Sequence, residues 1–175
     1  YKIVAFEKNE EVLKAYQEGR CDVFTTDQSG LYAEVLKFPN PTEHVVLPEI
    51  ISKEPLGPLV RQGDDAWFNV VKWTYFALLN SEELGVTSAN VGEMMTSANP
   101  EIQRLLGVKN ADGTAAGFGT GICLSEEWVA QIIKAVGNYG EIFERNVGLN
   151  TPLKIARGKN ALWTAGGLQY APPIR

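Results

Sequence analysis

The chain has 175 residues, enough for one ordinary domain or one and a half small ones. Its 45 % hydrophobic and 21 % charged residues are typical of a globular protein, and no segment approaches the ~18 uninterrupted apolar residues of a membrane span. A net charge of −5, with a pI near 5.0, leaves no basic stripe to neutralise phosphates and argues against nucleic acid as a partner.

Lys2–Glu7 (KIVAFE) reads as a strand. Asn9 can cap a helix, Glu10 and Glu11 suit its first turn, and Gly19 is a good stop. Cys21–Thr26 is rich in β-branched and aromatic residues and reads as a second strand. A helix runs from about Ser29 to Phe38 and ends at Pro39-Asn-Pro41. His44–Ile51 is a third extended run. Strand–helix–strand–helix–strand in about fifty residues predicts βαβ units and a parallel sheet.

Lys53–Arg61 carries two prolines and a glycine; it is either a crossing between domains or a loop into an edge strand. Asp64-Asp65 can cap the next helix, Ala66–Glu83, which is nearly apolar all round and should be buried on most sides. Gly85 stops it. Asn90 with Glu93 marks a short helix, and Asn99-Pro100-Glu101 is a stronger start for one ending at Gly107. Asn110–Gly121 reads as a flexible loop. Ser125-Glu-Glu opens a long helix that Gly137–Gly140 interrupts and Glu141–Val147 continues. The tail, Thr151–Arg175, is expected to lie over the surface.

Patterns for catalysis are sparse. His44 is the single histidine, so no site with two histidine ligands is possible. Cys21 and Cys123 are too few for a disulfide framework and are not spaced as a metal site. Gly117-Phe-Gly-Thr-Gly121 lacks the Lys-Ser/Thr of a phosphate loop. The residue that stands out is Asp27, at the carboxyl end of the second predicted strand, where the chain turns into a helix. Ligands of open α/β sheets bind at such ends, and a carboxylate there can hold a cation. The plainer alternative is that Asp27 only caps the helix.

The stretches GRCDVFTTDQSGLYAE (19–34), HVVLPEIISKEPLGPLVRQGDDAWF (44–68) and KAVGNYGEIFERNVG (134–148) closely resemble the C-terminal half of general L-amino-acid-binding proteins. So do PLKIARG, NALW and GGLQYAPP in the tail. These are periplasmic solute-binding subunits of polar-amino-acid ABC transporters. The resemblance runs along nearly the whole chain, least clearly at Asn110–Cys123.

It implies an α/β fold of the periplasmic-binding-protein type II kind, present in part: a βαβ remnant of lobe two over 1–53, then a helix-rich return to lobe one over 54–175. The return crossing falls near Ile50–Pro55. The resemblance implies that Asp27 binds the ligand's α-ammonium, with Thr26 and Gln28 as neighbouring contributors. It implies no cofactor, no metal and no catalytic residue. The expected partners are a free L-amino acid, an inner-membrane ABC permease and the missing N-terminal half or a second chain. The rest of the pocket, including an arginine for the ligand carboxylate, would lie upstream of Tyr1. The expected location is the periplasm, after removal of a signal peptide from a precursor. On this reading the two cysteines fall in different lobes and do not pair. Half of such a protein should bind amino acids weakly, expose apolar surface and associate with a partner. A periplasmic cyclohexadienyl dehydratase on the same fold is the alternative; a sensory ligand-binding domain is a third reading.

Overall fold

The computed structural model describes residues 1–115 and 118–174. The chain divides into two compact units, Tyr1–Pro55 and Leu56–Arg175.

The first unit is built on two helices, α1 (Asn9–Gln17) and α2 (Gln28–Val35). Glu10 and Glu11 occupy the first turn of α1, where the helix dipole favours them. Asn9 lies inside the helix rather than capping it; the N-cap is Lys8. Gly19, at φ +71°, comes just after the end of α1. The small core holds Ala15 and Phe38. Beside it the rings of Tyr16, Phe24, Phe38 and His44 cluster, and the Tyr16 hydroxyl lies 2.9 Å from His44 Nδ1.

The βαβ remnant is not formed. Among the described residues no strand ladder exists; there is only an isolated parallel bridge between Leu162 and Gln169. The reason is physical. A strand is held by hydrogen bonds to a neighbour, and Lys2–Glu7, Cys21–Thr26 and His44–Ile51 make no backbone–backbone bond outside their ends. Their apolar side chains stand in solvent: Ile3, Val23, Val45 and Ile51 are 70–81 % exposed. These segments have strand composition and no strand to pair with.

The second unit is helical. Asp64 accepts a hydrogen bond from Trp67 N–H at 3.0 Å and starts α3 (Asp65–Glu83). The helix is not buried along its whole length as its composition suggests. Trp67 and Phe68 are about half exposed, whereas Ala77, Leu79 and Ser81 are fully covered. Helices α5 (Pro100–Leu106), α7 (Trp128–Val136) and α8 (Tyr139–Asn146) pack against α3. The short α4 (Val91–Met94) packs on α7. Their apolar faces meet in a core of Ala77, Val86, Ile102, Leu105, Leu106, Trp128, Val129 and Ile133.

Asn99 accepts from Glu101 N–H at 2.9 Å, with Pro100 at the first position of α5. The 110–121 region is not loop throughout: Phe118–Gly121 forms a single helical turn, α6. Gly117, the first glycine of the discounted phosphate-loop pattern, lies outside the described residues. The tail does more than cover the surface. It buries Ile155, Leu162, Ala171 and Ile174, and the buried Asn80 side chain donates to Pro172 O at 2.9 Å. Both cysteines are free, Cys21 half-buried and Cys123 exposed. No helix among the described residues is long and apolar enough to cross a membrane.

The interruption expected over Gly137–Gly140 is present at Gly137-Asn138, where α7 ends and α8 starts. Asn138 accepts from Glu141 N–H at 3.0 Å, and Glu141 returns a bond from Asn138 N–H at 2.9 Å. Glu141 also accepts from the Ser88 hydroxyl at 2.5 Å and from Ser88 N–H, tying α8 to the turn before α4. Burial pushes the Glu141 carboxyl up; the bonds from Ser88 and Asn138 outweigh it, helped by Arg145, and hold its pKa below the ordinary value. A depressed carboxylate stabilises the fold above the unfolded-state pKa and loses that contribution as pH falls through the folded value. Melting curves of the wild type and Glu141→Gln should therefore differ most above about pH 4.3 and converge in more acidic buffer. A gap that stays constant down to about pH 3, well below that value, would refute this role.

Candidate functional site

Asp27 stands where the extended Cys21–Thr26 segment enters α2. Its backbone is extended, with φ −52° and ψ 138°, and its carbonyl accepts Leu31 N–H at 2.9 Å. The carboxylate makes no cap bond to the helix. It is half-buried, while Thr26 and Gln28 on either side are exposed. The Thr26 methyl faces the backbone at Gly30, 3.4 Å from where a β-carbon would sit, so the turn is tight. The three residues are brought together by sequence adjacency on one turn. With no cap bond made, the Asp27 oxygens remain available to an outside donor. Such a carboxylate can accept charge-assisted hydrogen bonds from an ammonium group.

The other features of the first unit do not add to this point. An open depression of about 500 Å³ is lined by Phe6, Glu11, Lys14, Glu18 and Arg20. Three of its charges pair with one another, Arg20 lying 3.1 Å and Lys14 3.8 Å from Glu18. Among the described residues no group of three or more His, Cys, Asp or Glu side chains is placed to hold a metal ion.

The second unit carries a polar cluster that sequence reading missed. Arg157 forks onto Glu82, at 3.0 and 3.1 Å, with both side chains only 19 % exposed. It also donates to Asn160 O at 3.0 Å. Its guanidinium lies over the rings of Tyr139 and Phe143, 5.2 and 5.3 Å from their centroids. Burial raises the Tyr139 pKa, with the Arg157 charge pulling the other way, and burial also raises that of Tyr75. Tyr75 hydrogen-bonds Gln169 in the tail. Every bond of this cluster is internal, so it is a clamp that fastens the tail to α3 and α8. A pair separated by 75 residues leaves no local signal in the sequence.

No protein-family model matches the chain. It is 61 % identical over its full length to the general L-amino acid-binding periplasmic protein AapJ of Rhizobium johnstonii. It is 54 % identical to the putative amino-acid ABC transporter-binding protein YhdW of Escherichia coli and 47 % to the glutamate/glutamine/aspartate/asparagine-binding protein BztA of Rhodobacter capsulatus. Each match takes in 100 % of this chain and 50 % of the relative; the chain spans about half the length of these curated relatives. Among solved structures, an ABC transporter periplasmic binding protein from Brucella ovis with glutathione bound superposes with a TM-score of 0.87. It is 59 % identical, over 98 % of this chain and 52 % of that one. These relatives are named as binding proteins; none is named as an enzyme.

Proposed function

We propose that this chain, which is similar along its whole length to periplasmic binding proteins of amino-acid ABC transporters, is the C-terminal half of a carrier for L-amino acids. The carrier closes two lobes on a free amino acid and hands it to a membrane permease. In this reading residues 1–53 belong to lobe two and 54–175 return to lobe one. The three extended segments of the first unit become strands when the other half supplies their neighbours.

The observation that carries the ligand assignment is the uncapped carboxylate of Asp27 at the mouth of α2. An aspartate that merely capped the helix would accept a backbone N–H; this one keeps its oxygens for an outside donor. Thr26 and Gln28 flank it as polar neighbours. The ligand's α-ammonium is the group such a carboxylate selects. Glutathione, present in the related Brucella structure, bears at its γ-glutamyl end the same α-ammonium and α-carboxylate as a free amino acid. A site that reads this head group accepts both kinds of molecule and leaves the remainder of the ligand in a wetter space.

The test is thermal denaturation of the protein carrying both halves against a panel of L-amino acids and glutathione. A ligand at about 100 times its Kd should add about 2.7 kcal/mol of stability. Asp27→Ala should cut the stabilisation to about a third or less, because a desolvated ammonium without its counter-charge costs about 2–5 kcal/mol, or ~30-fold and upward in Kd. A panel in which nothing stabilises the protein, or a variant that keeps the full shift, would contradict the proposal.

A further inference from the structure

Asp112 is the one aspartate of the sequence that precedes a glycine, and no asparagine does. The pair sits in the turn between α5 and α6, where residues 110–114 are exposed to water. A glycine after an aspartate leaves the amide nitrogen open, because no β-carbon shields it. That nitrogen can attack the side-chain carboxyl of the residue before it. The bond from Gly113 N to Asp112 Cγ forms, a carboxyl C–O bond breaks, and the acid hydroxyl leaves with the amide proton as water. Water then reopens the five-membered imide. Opening at the main-chain carbonyl leaves an isoaspartate: the backbone runs through the Asp112 side chain, one methylene longer, with no change in mass.

The turn holds both reacting groups in bonds that oppose this attack. Asp112 Oδ1 accepts from Thr114 N–H at 2.9 Å and from the Thr114 hydroxyl at 2.6 Å. That hydroxyl accepts from the Asn110 side-chain amide at 3.1 Å, so its own proton is aimed at Asp112. These bonds, the hydroxyl's first, hold the Asp112 pKa below the ordinary carboxylate value, whereas the attack consumes the neutral acid. The nucleophile is also engaged, since Gly113 N–H donates to Asn110 O at 2.9 Å. Asn110 N–H closes the turn on Thr114 O at 2.7 Å. From this geometry we infer that Asp112-Gly113 is a site of spontaneous isoaspartate formation that the folded turn keeps closed, with the Thr114 hydroxyl as its latch. The inference is independent of what the protein binds.

Ageing of the protein carrying both halves in warm neutral buffer, followed by peptide mapping for isoaspartate, tests this. A free peptide of residues 108–115 supplies the open reference. The folded wild type should form isoaspartate at least about tenfold more slowly than the peptide, the worth of one hydrogen bond to a charged acceptor. Thr114→Val keeps the shape and loses the hydroxyl, and should react about tenfold faster than the wild type. Thr114→Ser keeps the hydroxyl and should match the wild type. Asp112→Glu, whose longer side chain cannot close the five-membered ring, should give no product at this position. Equal rates in the folded wild type and the peptide, a valine variant no faster than the wild type, or a serine variant as fast as the valine one overturns the inference. Product appearing in Thr114→Val at other aspartates as well would report general unfolding and overturn it too.

Discussion

Arg157→Ala should lower the stability of the second unit by about 3 kcal/mol, the lower end of what breaking a buried ion pair costs. The side chain holds three things at once. It neutralises Glu82 through two bonds, it donates to the Asn160 carbonyl, and it roofs Tyr139 and Phe143. Truncation leaves the Glu82 carboxylate with 19 % exposure and no counter-charge, the worst arrangement for a buried charge. Gly140 shows how closely the pair is seated: a β-carbon there would lie 2.9 Å from the guanidinium and 3.0 Å from the Glu82 carboxyl. In a unit of this size the loss corresponds to a fall of roughly 10 °C in Tm. Arg157→Lys should fall between, since an ammonium keeps the charge and loses the fork. The double variant Glu82→Gln/Arg157→Ala should recover part of the deficit, because no charge is then stranded. A single alanine variant melting within about 2 °C of the wild type would show that the clamp is ornamental.

Gly107→Ala should be comparably severe for a different reason. Gly107 ends α5 in the left-handed conformation, φ +69°. A β-carbon there would sit 1.9 Å from the Glu126 carbonyl oxygen and 2.4 Å from its carbon. Both are backbone atoms on the approach to α7, so no side-chain rotation relieves the overlap. The αL penalty of about 1 kcal/mol adds to the cost of moving α5 away from α7, about 1–3 kcal/mol for an overpacked contact. Urea unfolding of Gly85→Ala supplies the control. Gly85 has the same φ of +69°, with nothing within 4 Å of the added carbon, and should lose the conformational part alone. Equal losses at the two positions would mean that the close approach of α5 to the 126–127 segment is not as described.

Helix starts with side-chain caps were the most legible part of the fold. Asp64 before α3 and Asn99-Pro100-Glu101 before α5 signal locally and are answered locally. The start of α8 carried the same kind of signal, Asn138-x-x-Glu141, but the flanking glycines read as a break. The strands were legible as composition and absent as structure, because a helix satisfies its own backbone and a strand borrows its partner. The uneven burial of α3 has the same origin: composition tells that a helix wants cover, not whether the cover lies within the chain. The tail was opaque for another reason. Ile155, Leu162, Ala171 and Ile174 keep no helical or strand period, so nothing marked them as core. At the candidate site, position was legible and bonding was not. The change from extended Cys21–Thr26 to helical Gln28 fixed Asp27 at the junction, and only the folded geometry could separate a capping carboxylate from one left open.

The central claim is that Asp27 reads an α-ammonium, and calorimetric titration with a matched pair of ligands tests it most directly. The protein carrying both halves is titrated with the tightest-binding L-amino acid of the panel and with the same acid lacking its amino group. The account predicts that removing the ammonium weakens binding to the wild type by at least ~30-fold, and that Asp27→Ala binds both ligands with nearly equal, weak affinity. Tight binding of the des-amino acid to the wild type, or full discrimination retained by the variant, would contradict it.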